Sequence, residues 1–189
     1  GIDGFVARHV IELGPGQYAY TGAAARLRVA VDARLQAIAR RAGAEPWHLP
    51  SIEQTSDLMP ATGYLASHGQ YLTFGYRLPC HFERIRSFAA DARAHGLERP
   101  ADPADLVPTG FVLEPFVCHN VYRALRGAVL DEGRAITALG TCYRHEGFRF
   151  VPLVRQWEFS MREVVLVGPP AYVAAQRGRV LVMIQELAA

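Results

Sequence analysis

The sequence is poor in cysteine, and its 3 cysteines stand apart from one another. Cys80, Cys118 and Cys142 form no CxxC pair, which excludes a zinc-finger pattern, and an odd, sparse set does not indicate a disulfide framework. We interpret Cys80 and Cys142 as core thiols. Cys118 lies on the apolar stripe of a predicted helix, where a buried thiol is usually a small hydrophobic residue.

Long apolar runs, a strong net charge and low-complexity tracts are also missing. No run of about 18 apolar residues is present, so no transmembrane helix is predicted. The first residues lack the basic-then-apolar order of a signal peptide, and we expect a cytoplasmic protein. The net charge of +2 is small for a protein that binds nucleic acid by neutralising many phosphates. We expect residues 1–189 to form one domain.

Apolar periodicity predicts an α+β domain in which helices pack on one antiparallel sheet. Helices are predicted at residues 23–42 and 81–95, from Cys118 towards Gly133, and at 170–189. The stretch 46–69 is rich in proline and glycine and is predicted to be loop with short strands, followed by a strand at 71–78. The clearest break is Pro100–Pro103, which is too short to separate two domains.

The most informative pattern is a pair of antiparallel strands predicted at residues 136–146 and 154–167 and joined by a basic turn. Alternation predicts one face of each strand to carry the charged and aromatic residues Arg144, Glu146, Arg155, Phe159 and Glu163. If the two faces coincide, the hairpin offers positive charge for a phosphate, an aromatic ring for a base, and a carboxylate. Taken singly, Phe159 is more often a core residue, and Glu163 is more often a surface residue paired with an arginine.

This hairpin resembles motif 2 of the class II aminoacyl-tRNA synthetases. That motif has an Arg-x-Glu strand, a variable loop, and a returning strand with Arg, Phe and Glu four residues apart, matched here by Thr141–Glu146 and Val154–Glu163. The upstream segment Leu113–Cys118 is similar to the one that supplies a thiolate ligand in zinc-dependent, seryl-tRNA-synthetase-like amino acid:[carrier protein] ligases. The resemblance covers most of the chain, and these two segments are its distinctive parts.

The resemblance implies a class II fold, an antiparallel sheet flanked by helices, and a role for each hairpin residue. Arg144 would hold the α-phosphate as the catalytic residue, because a guanidinium in a dry site stabilises the charge that grows on the phosphate oxygens. Glu146 would accept a hydrogen bond from the adenine amino group, and Phe159 would stack on the adenine. Arg155 would contact the phosphates or the substrate carboxylate.

The resemblance also implies ATP, Mg²⁺ and Zn²⁺ as cofactors, with Cys118 and Glu163 as two zinc ligands. The zinc would bind the amino group of the substrate, and its crowded site would admit only small side chains. The third ligand stays unassigned. His119 adjoins Cys118 but diverges from it by about 100° on a helix, and the histidines other than His145 lack ligand spacing. His145 is predicted to be structural.

The implied reaction is the ATP-dependent activation of glycine, alanine or serine as an aminoacyl-adenylate, followed by transfer to the phosphopantetheine thiol of an acyl or peptidyl carrier protein. Arg149 is a candidate contact for that carrier protein. No tRNA partner is expected, since the coiled-coil arm of seryl-tRNA synthetases is missing. No membrane is expected either, since no long apolar run is present. The resemblance implies a homodimer.

Two departures from the family keep alternatives open. No Gly-x-Gly-x-x-Arg segment of motif 3 and no further cysteine follow Glu163. We therefore expect the core to be incomplete at its C-terminus or to belong to a paralogue that has lost catalysis. The alternatives are a non-catalytic paralogue that binds an amino acid or nucleotide, and a fragment of a seryl-tRNA synthetase.

Overall fold

A computed structural model of the chain describes residues 1–61, 63–96, 106–147 and 149–188. The predicted break at Pro100–Pro103 lies outside these residues. No described helix is both long enough and apolar enough to cross a membrane. In chain order the elements are α1 (Ile2–His9), β1 (Val10–Gly14), β2 (Gln17–Tyr20), α2 (Gly22–Arg41), β3 (Glu45–Pro46), β4 (Ile52–Gln54), α3 (Thr55–Ala61), α4 (Tyr64–His68), a 3₁₀ turn (Gly69–Tyr71), β5 (Phe74–Arg77), α5 (Phe82–His95), β6 (Val107–Leu113), α6 (Cys118–Ala124), β7 (Arg134–Tyr143), β8 (Glu158–Val167) and α7 (Pro170–Ala188).

The predicted strand pair is confirmed as the antiparallel hairpin β7–β8. Its register runs from Arg134 opposite Val167 to Tyr143 opposite Glu158. On the turn side both strands are shorter than predicted: β7 ends at Tyr143 and β8 begins at Glu158. The chain between them forms a turn instead of extending the strands. In that turn Val151 bridges to Arg155, and Leu153 has a φ of 66°, which is left-handed backbone.

The strands of the described residues form three sheets, where one sheet was predicted. The first contains β3, β7 and β8, with β3 parallel to β7, and the second contains β4, β6 and β5, with β6 in the centre. The third is the hairpin β1–β2. The α+β class is confirmed. The number of sheets was predicted wrongly because periodicity indicates which face of a strand is buried and not which strand lies next to it.

Helices pack on both faces of the β7–β8 hairpin. On one face, Ile38 of α2 and Met183 of α7 are buried with Val164 against them. On the other face, Val121 of α6 packs with Ile136 and Val165. Burial of such side chains contributes roughly 1.5–3 kcal/mol each. The hairpin is therefore flanked by helices as predicted, and α6 covers the face that carries Phe159 and Glu163.

Two local predictions need correction. The stretch 46–69 contains the short helices α3 and α4 besides strands, and α3 is held in place by Leu58, which is 2 % exposed. Helix α6 ends at Ala124, well before Gly133, because Gly127 takes a positive φ, and Val129 beyond it is exposed. The predicted helices at 23–42, 81–95 and 170–189 are confirmed as α2, α5 and α7.

Candidate functional site

The segment between β6 and α6 lies against the turn end of the β7–β8 hairpin and is hydrogen-bonded to Tyr143 and Arg144. The backbone N–H of Tyr143 donates to the carbonyl of Glu114 at 2.8 Å, and the Nε of Arg144 donates to the carbonyl of Pro115 at 2.9 Å. Close approach is possible because Gly140 of β7 has no side chain: a Cβ there would lie 2.8 Å from a methyl of Val117. The segment and the hairpin therefore form one unit.

The four residues predicted for nucleotide binding meet at the turn end of the hairpin. The guanidinium carbon of Arg144 lies 5.3 Å from the ring centroid of Phe159, a cation–π distance. Carboxylate oxygens of Glu146 lie 3.9 Å from Arg144 NH1 and 3.5 Å from Arg155 Nε. All four are at least partly exposed. Arg144, Glu146 and Arg155 lie beyond the strand ends, so their grouping comes from the turn rather than from strand alternation.

The two predicted metal ligands are in direct contact. The thiol of Cys118, at the start of α6, lies beside the carboxylate of Glu163 on β8. Burial, and then the negative charge of Glu163, raises the pKa of the Cys118 thiol to about 12. The Oε1 atom of Glu163 also accepts a hydrogen bond of 3.2 Å from the backbone N–H of Val117. A thiol and a carboxylate in contact are a donor pair that suits Zn²⁺.

Beside this pair lies a buried polar cluster that sequence reasoning missed, made of Glu53, Glu114, His119 and Asn120. The Nδ1 of His119 lies 3.1 Å from Oε2 of Glu53, and Nδ2 of Asn120 donates to Oε2 of Glu114. Each of the four side chains is at most 5 % exposed. Burial, and then the charge of Glu53, raises the pKa of Glu114 to about 8.

Spacing could not reveal this cluster, because its residues come from β4, from the end of β6 and from α6. The antiparallel pairing that puts Glu53 opposite Val112 is what brings the two glutamates together. The strand Ile52–Gln54 gave a weak signal. Its alternation puts Glu53 on the face opposite to Ile52 and Gln54, and a buried acid on such a face needs polar partners. The structure shows that Glu53 is the buried member.

The remaining sequence predictions have mixed outcomes. Cys142 is fully buried beside Val117, as expected for a core thiol, but Cys80 is exposed and its interpretation as a core thiol was wrong. Cys80 lies just before α5, in the exposed connection from β5, and not in the buried core. His145 packs edge-on against Trp157 with ring centroids 4.8 Å apart, which is a structural role. Arg149 is exposed.

Comparison with known proteins gives one curated relative and a large set of similar folds. No family model matches the chain. An amino acid–[acyl-carrier-protein] ligase of Bradyrhizobium diazoefficiens is 32 % identical over 108 residues, which cover 50 % of this chain and 32 % of that protein.

Two synthetases share the fold along nearly the whole chain. M. kandleri seryl-tRNA synthetase, solved with A. aeolicus tRNASec, superposes with a TM-score of 0.86 and 25 % identity over 100 % of this chain and 38 % of its own. Giardia lamblia prolyl-tRNA synthetase, solved with prolyl-adenylate, gives a TM-score of 0.72 at 14 % identity, over 96 % of this chain and 33 % of its own. The matched region thus spans about a third of the length of each of these three proteins. The similarity to these structures, together with the curated relative, supports a class II aminoacyl-tRNA synthetase-like fold for the chain, as its sequence predicted.

Proposed function

We propose that the protein is the core of an AMP-forming ligase, which activates a small amino acid with ATP and transfers it to the phosphopantetheine thiol of an acyl or peptidyl carrier protein in the cytoplasm. The observation that carries this proposal is the contact between Cys118 and Glu163 beside the Arg144–Phe159 pair. A thiol and a carboxylate placed together can hold a metal, and a metal would let the enzyme select its substrate by the amino group. The partial similarity to a carrier-protein ligase points in the same direction.

The first step joins the amino acid carboxylate to the α-phosphorus of ATP and releases pyrophosphate. A carboxylate oxygen forms the new P–O bond as the bond to the bridging oxygen breaks, and negative charge grows on the α-phosphate oxygens. Arg144 stabilises that charge. Its Nε is fixed by the Pro115 carbonyl, which leaves the terminal nitrogens of the guanidinium for the phosphate. Mg²⁺ would accompany the other phosphates.

Glu146 and Phe159 bind the adenine in this proposal. Glu146 lies between Arg144 and Arg155, where its carboxylate can accept a hydrogen bond from the adenine amino group. The Phe159 ring offers a face for stacking, and Arg144 lies over that ring at 5.3 Å. An adenine stacked on this ring would lie beside the guanidinium of Arg144.

Cys118 and Glu163 would hold zinc, which supplies a Lewis acid for the amino group of the substrate and so favours small α-amino acids. The carboxylate of Glu163 is kept in place by the N–H of Val117, and the thiol is brought to it by the first turn of α6. A third zinc ligand and a homodimer complete the proposal.

The test is amino-acid-dependent ATP–pyrophosphate exchange by the protein extended through its native reading frame, with glycine, alanine and serine each supplied. Arg144→Ala should reduce exchange by roughly 10²–10³-fold, the usual cost of one preorganised charge-stabilising donor. Arg134→Ala is the matched control, since Arg134 pairs with the exposed Glu45 at the far end of β7.

Transfer to a carrier protein and to tRNA is then measured with the same preparation. Efficient aminoacylation of tRNA without any transfer to a carrier protein would favour a seryl-tRNA synthetase fragment and contradict the proposal. Binding of amino acid or nucleotide without exchange would favour the non-catalytic paralogue.

A further inference from the structure

The buried cluster behind the start of α6 contains more ligand atoms than its hydrogen bonds use. Glu53, Glu114 and His119 each offer one donor atom, and these three atoms lie within 4.8 Å of one another. Within the described part of the chain, Oε1 of Glu114 and Nε2 of His119 have no hydrogen-bond partner. Their side chains are 2 % and 4 % exposed. A buried polar atom without a partner costs roughly 1–3 kcal/mol, so two in one cluster require a reason.

The ion pairing of the cluster's two carboxylates also points to a bound cation. Among the described residues, the only ion pair of its two carboxylates is the contact between Glu53 and His119, whose imidazole is charged only when protonated. Bound to a metal as two carboxylates and a neutral imidazole, the three side chains would balance the charge of a single divalent cation. Buried charges are normally paired or bound to metal.

The geometry also suits one ion. With bonds of about 2.0–2.2 Å to nitrogen and oxygen, two ligands of one ion lie at most about 4.4 Å apart. The three donor atoms would therefore close by only a few tenths of an ångström to share it. One imidazole and two carboxylates are a donor set typical of a first-row divalent ion. The ring of Phe116 packs edge-on against His119 at 4.1 Å and restricts its orientation.

We propose that Glu53, Glu114 and His119 form a second metal site, which binds a divalent first-row transition-metal ion separately from Cys118 and Glu163. The site joins β4, the end of β6 and α6, so its ion would fix the helix turn that presents Cys118 to Glu163. Because the cluster is buried, the ion would enter as the chain folds. Its role is structural, and it does not depend on the proposed reaction.

The experiment refolds the 189-residue chain with excess Co²⁺, removes free ion, and measures bound cobalt by elemental analysis together with the absorption spectrum. Cobalt at Cys118 produces a thiolate charge-transfer band, whereas cobalt bound by nitrogen and oxygen does not. Cys118→Ser should lose that band and keep about one equivalent of cobalt. Glu114→Gln and His119→Gln should each lose about one equivalent and keep the band. Glu12→Gln, an exposed change on β1, is the control.

Each outcome decides the proposal. Loss of all cobalt in Cys118→Ser would overturn it, and so would unchanged cobalt content in folded Glu114→Gln and His119→Gln. If circular dichroism shows that the two cluster variants do not fold, the Cys118→Ser result alone decides. A parent protein with one equivalent and no thiolate band would contradict the zinc assignment of Cys118 and Glu163 while leaving the second site intact. Repeating the analysis with Zn²⁺ tests the same site with a d¹⁰ ion.

Discussion

Phe159 offers the most direct test of the proposed nucleotide binding. It lies on β8 directly opposite Cys142, with one part of its ring in the core and Arg144 over its face. Phe159→Ala should weaken ATP binding by about 1–3 kcal/mol, by analogy with other aromatic–base stacks. Isothermal titration calorimetry measures the change, and Phe82→Ala, an exposed aromatic on α5, serves as the control. An unchanged affinity in Phe159→Ala would remove the stacking role.

The three cysteines should differ sharply in reactivity when metal is removed with a chelator. Cys80 is exposed, whereas burial raises the pKa of both Cys118 and Cys142 to about 12, so these two thiols stay protonated near neutral pH. Because the thiolate is the nucleophile, iodoacetamide should modify Cys80 first, as followed by mass spectrometry.

Glu163→Gln tests the cause of the slow reaction at Cys118. The change removes the negative charge that, after burial, contributes most to the raised pKa of the thiol, and an amide oxygen can still accept the Val117 N–H. Alkylation of Cys118 should therefore become faster, while Glu158→Gln on the same strand should leave it unchanged. Equal rates in Glu163→Gln and the parent would show that burial alone protects the thiol.

At the scale of elements, a nearly buried ion pair adds to the apolar contact between α2 and β8. The side chain of Arg162 is 9 % exposed, and its NH2 donates to Oδ2 of Asp32 at 3.0 Å. Asp32→Asn leaves that guanidinium without its counter-charge, and the free energy of unfolding should fall by about 1.5–3 kcal/mol. Urea denaturation measures this loss.

The exposed pair between Arg134 and Glu45 gives the matched control for that experiment. It joins β7 to β3 with side chains that are 40 % and 56 % exposed. Exposed pairs contribute about 0–1 kcal/mol, so Glu45→Gln should have a small effect. A loss as large in Glu45→Gln as in Asp32→Asn would mean that burial of the Arg162 pair is not what makes it important.

For the whole molecule, the proposed site would supply charge stabilisation from one side of a triphosphate. Arg144 and Arg155 come from the motif 2 hairpin, and no motif 3 arginine follows in the 189 residues. We expect ATP–pyrophosphate exchange by this chain to be close to background, although ATP binding through Phe159 and Arg144 should persist. A missing donor typically costs about 10²–10³ in rate, and such losses need not add.

The comparison that tests this expectation uses a polypeptide extended through the native reading frame under identical conditions. Exchange should rise strongly in the longer protein. Robust and equal turnover by the 189-residue chain would show that motif 3 is replaced within the described core. The assignment of the catalytic residues would then have to change.

The sequence by itself determined the parts of this protein that depend on local order. Helices α2, α5 and α7 follow from apolar residues at helical spacing, and the β7–β8 hairpin from two alternating runs around a turn. The motif on that hairpin also indicated the class II fold, because its residue types and spacing lie within one short stretch of chain. These features need no knowledge of distant neighbours.

Only the tertiary structure decided which distant side chains meet. The contact of Cys118 with Glu163 depends on how α6 docks on β8, and the meeting of Glu53 with Glu114 depends on the pairing of β4 with β6. The turn at Leu153, and not strand alternation, brings Arg155 to Glu146. Periodicity states which face of an element is buried, whereas the partner of that face is chosen by packing between elements far apart in the chain.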